Sequence, residues 1–288
     1  KGENEITLLK ALSGNIAFDN KNYDVISNFG TWARERQIER APLLHTGAVV
    51  ESNCGSSSHY ANPFMILTER DTNEASGEAI GVALAYSGNH KVSANLNKYN
   101  IVNLSAGISP DNFRWTLSQG ETFSTPEMVI SFSDSGLSTL SQNFHSLIKN
   151  RVCRGVYRDK KRPVLLNLWE ACYFDFTDET VKKAADSAAE LGVELLVIDD
   201  GWFGKRNNDR SSLGDWFVNE DKIKCGMASL CEYVNSKGLM LGIWFEPEMI
   251  SPESELFSRH PEWVMQISGR KPTELRWQLM LDLTNSEV

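Results

Sequence analysis
The sequence predicts two parts: a β-sandwich over residues 1–150 with a trailing helix, then an α/β part over residues 151–288. The second part reads as the first units of a (β/α)8 TIM barrel, incomplete within these residues. Three observations carry this reading. In the first half, short apolar or alternating stretches recur between turn signals, and helical periodicity is nearly absent before Leu137. From Pro163 onward, apolar strand-like runs alternate with segments of helical spacing. Each of those runs ends in polar or aromatic residues: Trp169-Glu170, Asp199-Asp200 and Trp244-Phe245-Glu246.

In the first part the strand candidates include Pro63–Thr68, Ala79–Tyr86, Lys91–Leu96, Ile101–Ser105 and Met128–Ser133. Asn62-Pro63, Ser87-Gly88-Asn89, Ser109-Pro110-Asp111 and Gln119-Gly120 supply turns between them. Leu140, Phe144, Leu147 and Ile148 then share one face of a helix over Leu137–Lys149.

In the second part, Pro163–Trp169 is an apolar run with one Asn, which suits a strand buried on both faces. Thr177 or Asp178 caps a helix whose inner side carries Val181, Ala184, Ala185 and Ala188, and Gly192 stops it. Val193–Ile198 is the next strand. Ile223, Met227, Leu230 and Val234 space a second helix closed by Gly238, and Leu239–Phe245 is the third strand. Such βαβ units build a parallel sheet. An open doubly wound sheet and a barrel both satisfy this order. No glycine-rich phosphate loop follows the first strand, and a barrel gathers its site from the C-terminal ends of its strands, so the barrel is favoured.

Composition narrows the function. The chain has 288 residues, 41% hydrophobic and 23% charged, with a formal charge of −9 and scattered acids. This balance argues against a nucleic-acid partner, which needs clustered Lys and Arg to neutralise phosphates. The longest apolar runs are too short to span a bilayer, so no membrane partner is expected. The five cysteines are odd in number and widely spaced, which predicts buried or partly buried free thiols in a reducing, cytoplasmic setting, with no zinc set. The five histidines show no ligand spacing, and neither a metal nor a cofactor is expected.

Asp199-Asp200 is the sharpest chemical feature: two acids close an apolar strand, followed by Gly201-Trp202. In an arbitrary protein such a pair is an acidic loop cap. At a strand end, adjacent acids point to opposite faces, so they do not face each other as a retaining glycosidase's catalytic pair must, at roughly 5–5.5 Å. They suit acceptance of hydrogen bonds from sugar hydroxyls. Trp169 and Trp244 at strand ends offer flat platforms for a sugar ring; Trp202 and Trp216 lie in the loop after Asp200, and core packing accounts for about half of such tryptophans. Arg276 can reach a substrate hydroxyl or orient an acid. Glu246 and Glu248 flank Pro247 as supporting acids or loop charges.

With these residues in place the sequence resembles the bacterial-type α-galactosidases of glycoside hydrolase family 36. The matching stretches are Asn167-Leu-Trp169-Glu-Ala-Cys-Tyr-Phe-Asp-Phe176, Val197-Ile-Asp-Asp-Gly-Trp-Phe-Gly204, Ser212-Leu-Gly-Asp-Trp216, Gly242-Ile-Trp-Phe-Glu-Pro-Glu-Met249 and Arg276-Trp-Gln-Leu-Met-Leu-Asp-Leu283. In the first half, Trp32-Ala-Arg-Glu-Arg36 with Glu39-Arg40, and Gly55-Ser-Ser-Ser-His59 with Asn62-Pro-Phe64, resemble the family's sandwich, itself part of a supersandwich.

The resemblance implies a retaining enzyme that hydrolyses terminal α-1,6-galactosides of the melibiose and raffinose type. It implies that Asp199 and Asp200 bind galactose O4 and O6, that Trp169 and Trp244 line the pocket, and that Arg276 sits beside the sugar. It also implies a nucleophile in a Lys-Trp-Asp motif and a later acid/base Asp, both expected beyond Val288. The segment is therefore expected to be internal to a longer homo-oligomeric enzyme and inactive alone. The sequence departs from the family at Leu168, Cys172, Trp277 and Lys222-Ile-Lys-Cys-Gly226. A non-catalytic carbohydrate-binding protein and an α-N-acetylgalactosaminidase are the competing readings.

Overall fold
The computed structural model describes residues 5–288. It divides into two compact units, one running to Arg158 and the other spanning Asp159–Val288.

The first unit contains strands β1 (Ile6–Leu8), β2 (Leu12–Asp19), β3 (Asp24–Thr31), β4 (Arg34–Pro42), β5 (Ala48–Ser52), β6 (Phe64–Thr68), β7 (Ala79–Ala85), β8 (His90–Leu96), β9 (Ile101–Ile108), β10 (Trp115–Leu117) and β11 (Glu127–Ser133), then helix α1 (Gly136–Leu147). A five-stranded sheet of order β11-β7-β6-β3-β4 and a four-stranded sheet of order β2-β9-β8-β5 are both antiparallel. Val25, Met65, Leu67, Val82 and Leu84 from one sheet and Val50, Val92, Leu104 and Ala106 from the other form a single buried cluster. The unit is thus a β-sandwich, whose inner positions alternate with outer ones as the pleat requires. Helix α1 packs Leu140 and Phe144 against Ala79 and half-buried Phe64, Ile66 and Ala83. Glycine is required at position 81, because a Cβ there would lie 2.5 Å from the Phe144 ring.

Four strands outside the stretches singled out from the sequence, β2 to β5, belong to this sandwich. Strand β4 is exposed at every position, so its pattern carries no burial signal. His90 is fully buried at the start of β8, and neither ring nitrogen completes a hydrogen bond. Burial holds its pKa below the usual imidazole value, against the pull of the Gly88 carbonyl and the Glu51 carboxylate.

The second unit contains β12 (Leu165–Asn167), a short helix α2 (Trp169–Cys172), α3 (Asp178–Glu190), β13 (Leu195–Ile198), α4 (Met227–Ser236), β14 (Met240–Ile243), β15 (Met249–Ile250), α5 (Glu255–Arg259) and β16 (Leu279–Met280). Strands β12, β13 and β14 form a parallel sheet, with Leu165 opposite Leu195 and Leu195 opposite Met240. Helix α3 begins with a capping box: Thr177 and Thr180 exchange side-chain-to-backbone hydrogen bonds. Val181, Ala185 and Ala188 of α3, Leu196 and Ile198 of β13, and Leu230 and Val234 of α4 make the core. No helix among the described residues is long and apolar enough to cross a membrane.

The expectation that Pro163–Trp169 is buried on both faces is corrected here. Leu165 and Leu166 are exposed, at 53% and 38%, because β12 is the edge of the parallel sheet among the described residues. All five cysteines are free, but Cys54 is exposed rather than buried, since it lies in a loop past β5.

Two outcomes are expected. Leu230→Ala, at a fully buried position, should cost about 2–5 kcal/mol, whereas Leu191→Ala, 82% exposed, should stay within about 0.5 kcal/mol in denaturant unfolding. The native sandwich excludes a proton that unfolded His90 accepts. Its stability should therefore be greatest above pH ~6.5 and decline on acidification below it, and His90→Leu should flatten that limb in thermal scans.

Candidate functional site
Parallel register sends the C-terminal ends of β12, β13 and β14 to one edge, and the ladder continues past the strands. Leu168 N–H donates to Val197 O and Trp244 N–H to Ile198 O, both at 3.0 Å. Trp169, Asp199, Asp200 and Trp244 all stand on this edge, as the sequence predicts.

The two acids take different partners. Asp199 is half-buried; its carboxylate accepts from the Asn167 amide at 2.6 Å and from the Asp200 N–H at 2.8 Å. Asn167 Oδ1 in turn accepts from Trp169 N–H at 2.8 Å, so β12 and β13 are tied where they end. Asp200 is buried and gripped by Arg206, whose Nε donates to both carboxylate oxygens at 3.0 and 3.2 Å and whose Nη2 donates at 2.8 Å. Arg206 is 1% exposed, and its Nη1 donates to Ser211 O at 2.9 Å. A fork of this kind sets the carboxylate's plane.

Lys222 is also buried. Its Nζ donates to the carbonyls of Phe174, Gly201 and Arg206 at 2.8, 2.9 and 3.0 Å. Gly201 has φ +99°, and a Cβ there would meet the Phe174 ring at 3.1 Å and Lys222 Nζ at 3.3 Å. Position 201 therefore needs glycine both for its backbone and for the close approach.

The aromatic residues divide in two. Trp202 is 4% exposed and donates its indole N–H to Trp244 O at 2.9 Å, so it is a core residue. Trp169 and Trp244 are half-buried: Trp169 sets its ring edge-to-face with Tyr173 and Phe174, and Trp244 packs beside Phe203 and Trp216. Phe245, exposed, stacks on Trp216 at 4.4 Å.

Arg276 does not orient either strand-end acid; Arg206 holds Asp200, and Arg276 Nη2 lies 3.7 Å from Asp209 Oδ1. Arg276 and Trp277 have φ of +53° and +59° at the tip of a two-residue turn closed by reciprocal Leu275–Gln278 backbone bonds. That turn normally takes Asn-Gly, so two large side chains there store strain of the sort found at functional sites. The turn docks on the loop after β13, with the Arg210 guanidinium 4.4 Å over the Trp277 ring. Glu246 sits in the same electrostatic neighbourhood. Burial, then the Glu248 carboxylate, raises its pKa, while Arg276 pulls it down. Among the described residues no group of three His, Cys, Asp or Glu side chains could hold a metal ion. Arg206, Lys222 and Asn167 were not singled out from the sequence. A lone basic residue in a polar loop carries no periodic signal; the sequence touched this set only through Asn167, the one Asn of an apolar run, and the Lys222–Gly226 departure.

The C-terminal edge of the parallel sheet thus presents paired carboxylates and half-buried tryptophans together. Residues 122–288 match the Melibiase family model and residues 1–118 match the glycosyl hydrolase family 36 N-terminal domain. The chain belongs to glycosyl hydrolase family 36. It is 46% identical over 288 residues to alpha-galactosidase AgaA of Geobacillus stearothermophilus, covering all of this chain and 40% of that protein. It is 46% identical to alpha-galactosidase Mel36A of Lactobacillus acidophilus, covering 39% of it. The crystal structure of the Geobacillus AgaA superposes with a TM-score of 0.98 at 46% identity, over 100% of this chain and 40% of that one. An AgaA variant in complex with stachyose superposes with a TM-score of 0.97 at 45% identity, with the same coverage. The chain thus spans about 40% of the length of these relatives.

Removing one half of the buried pair should cost more than removing both. Arg206→Met leaves the buried Asp200 carboxyl without its partner and should lose about 3–5 kcal/mol. Arg206→Met with Asp200→Asn should recover part of that loss in urea unfolding of the intact protein, which a double-mutant cycle measures.

Proposed function
We propose that the intact protein is a retaining α-galactosidase acting on terminal α-1,6-linked galactose of melibiose- and raffinose-type oligosaccharides, and that this chain supplies part of its galactose-binding floor. The observation that carries the reading is the Asp199–Asp200 pair, each carboxylate braced by its own donor, Asn167 or Arg206, at a strand edge flanked by Trp169 and Trp244. Braced carboxylates accept hydrogen bonds from neighbouring sugar hydroxyls without reorganising, and the tryptophans shield the ring's C–H faces from water. The relatives named for α-galactosidase activity, and the stachyose and raffinose complexes of AgaA, support this substrate class.

In this reading the three βα units open a (β/α)8 barrel. Asp199 and Asp200 bind rather than cleave, because a retaining pair must face one glycosidic bond from two sides at roughly 5–5.5 Å. The nucleophile and acid/base are Asp residues supplied by sequence beyond these residues. In the same reading Arg276 belongs at the rim of the sugar site, supported by its strained turn and its electrostatic effect on Glu246.

In the intact protein, Asp199→Ala and Asp200→Ala should each lower kcat/KM on nitrophenyl α-galactoside by roughly tenfold to a hundredfold, the value of a hydrogen bond to a charged acceptor. Steady-state kinetics checks this, and near-wild-type values in either variant would return that residue to a loop cap. Binding of galactose without turnover by the intact wild-type protein would favour a carbohydrate-binding protein instead.

A further inference from the structure
The Lys222 ammonium is enclosed, yet it touches no carboxylate directly. All three of its N–H donors are spent on backbone carbonyls: Phe174 in the segment after α2, and Gly201 and Arg206 in the loop after β13. An ammonium out of water is costly unless its hydrogen bonds are replaced, and here each one is. Its own backbone is fixed as well. Asp178 N–H, at the start of α3, donates to Lys222 O at 2.9 Å, and Lys222 N–H donates to Asn219, whose N–H reaches Trp202 O at 2.9 Å. The ring of Phe176 lies 5.0 Å from Nζ. The two carbonyls from the β13 loop bracket the functional stretch: Gly201 directly follows Asp200, and Arg206 holds Asp200 by its guanidinium.

We infer that Lys222 is a positioning residue for sugar recognition: by clamping the Gly201 and Arg206 carbonyls it sets the separation at which Arg206 orients Asp200 toward a sugar hydroxyl. The inference rests on the proposed galactose-binding role of Asp200. Lys222 itself does not reach sugar, since its three donors are committed and it is buried. A methionine would fill the same volume, but it would release three carbonyls and let the Gly201–Arg206 loop relax. Burial also lowers the lysine's pKa, opposed by the Asp200 and Asp175 carboxylates. The charged groups around it are those two acids and Arg206, while the Asp178 carboxylate is turned to the Cys225 N–H. As the lysine loses its proton, one carbonyl loses its donor and the other two lose charge assistance.

The test uses the intact protein and galactose affinity by calorimetry, with Lys222→Met and Asp200→Asn made singly and together. Lys222→Met should weaken galactose binding by roughly tenfold or more, and it should weaken it no further in the Asp200→Asn background, because the lysine acts through that acid. Losses that multiply, or unchanged affinity in folded Lys222→Met, would overturn the inference. If Lys222→Met does not fold, the wild-type protein decides. Its galactose affinity should fall as pH rises, below the ordinary lysine range near ~10.4, while near-ultraviolet dichroism stays native. Affinity that holds constant until the protein unfolds would overturn the inference. Wild-type protein that binds no galactose defeats the proposed function and the inference with it. Wild-type binding with an indifferent Lys222 defeats the inference alone.

Discussion
Two buried cations in one loop region are the constraint on which the strand-edge site depends. Arg206 and Lys222 carry two positive charges into the second unit, and Asp200 is the one carboxylate that either of them bonds. Their other hydrogen bonds go to four backbone carbonyls, those of Phe174, Gly201, Arg206 and Ser211. Each such contact fixes main chain rather than side chain. The loops after β12 and β13 therefore inherit the rigidity of the ion pair, and the acids at the strand edge are held by geometry that no apolar packing would specify. An apolar replacement could be as stable, but it would not fix the carboxylate's direction.

Much of the fold was legible because burial leaves a period in the sequence. Val181, Ala185 and Ala188 on one side of α3, the Thr177 cap and the Gly192 stop are local signals, and the structure has them as read. Strands β6 to β9 and β11 were visible for the same reason. Strand β4 was not, because every one of its residues is exposed and its place in the five-stranded sheet comes from backbone pairing with β3 and from Arg40, which bonds Asp24 and the Glu69, Arg70 and Thr72 carbonyls. The exposed Leu165 and Leu166 failed in the opposite sense: an apolar run reads as buried whether or not a neighbour covers it.

The site was legible where chemistry interrupts a pattern. Asp199 and Asp200 stand out against the apolar residues of β13, and Trp244 stands at the end of β14. Nothing local marked Arg206, six residues past Asp200, and nothing local told what Lys222 and Asn167 bind, since their partners lie on other segments. The strain at Arg276 and Trp277 was hidden too, since backbone dihedrals follow from the docking of their turn and not from residue type. Arg276 could be named from the sequence, but only as a lone basic residue before a short apolar stretch.

The carbonyl clamp has a consequence for how loops here can change length over evolution. Gly201 and Arg206 are bound to the same ammonium, so the four residues between them must span one fixed gap, and an insertion there would break a bond at one end. Past Arg206 the constraint relaxes, because Asn207 and Asn208 are exposed before the chain meets the Arg276–Trp277 turn through Asp209 and Arg210. Insertions among related proteins should accumulate at 207–208, leaving the stretch before it at constant length.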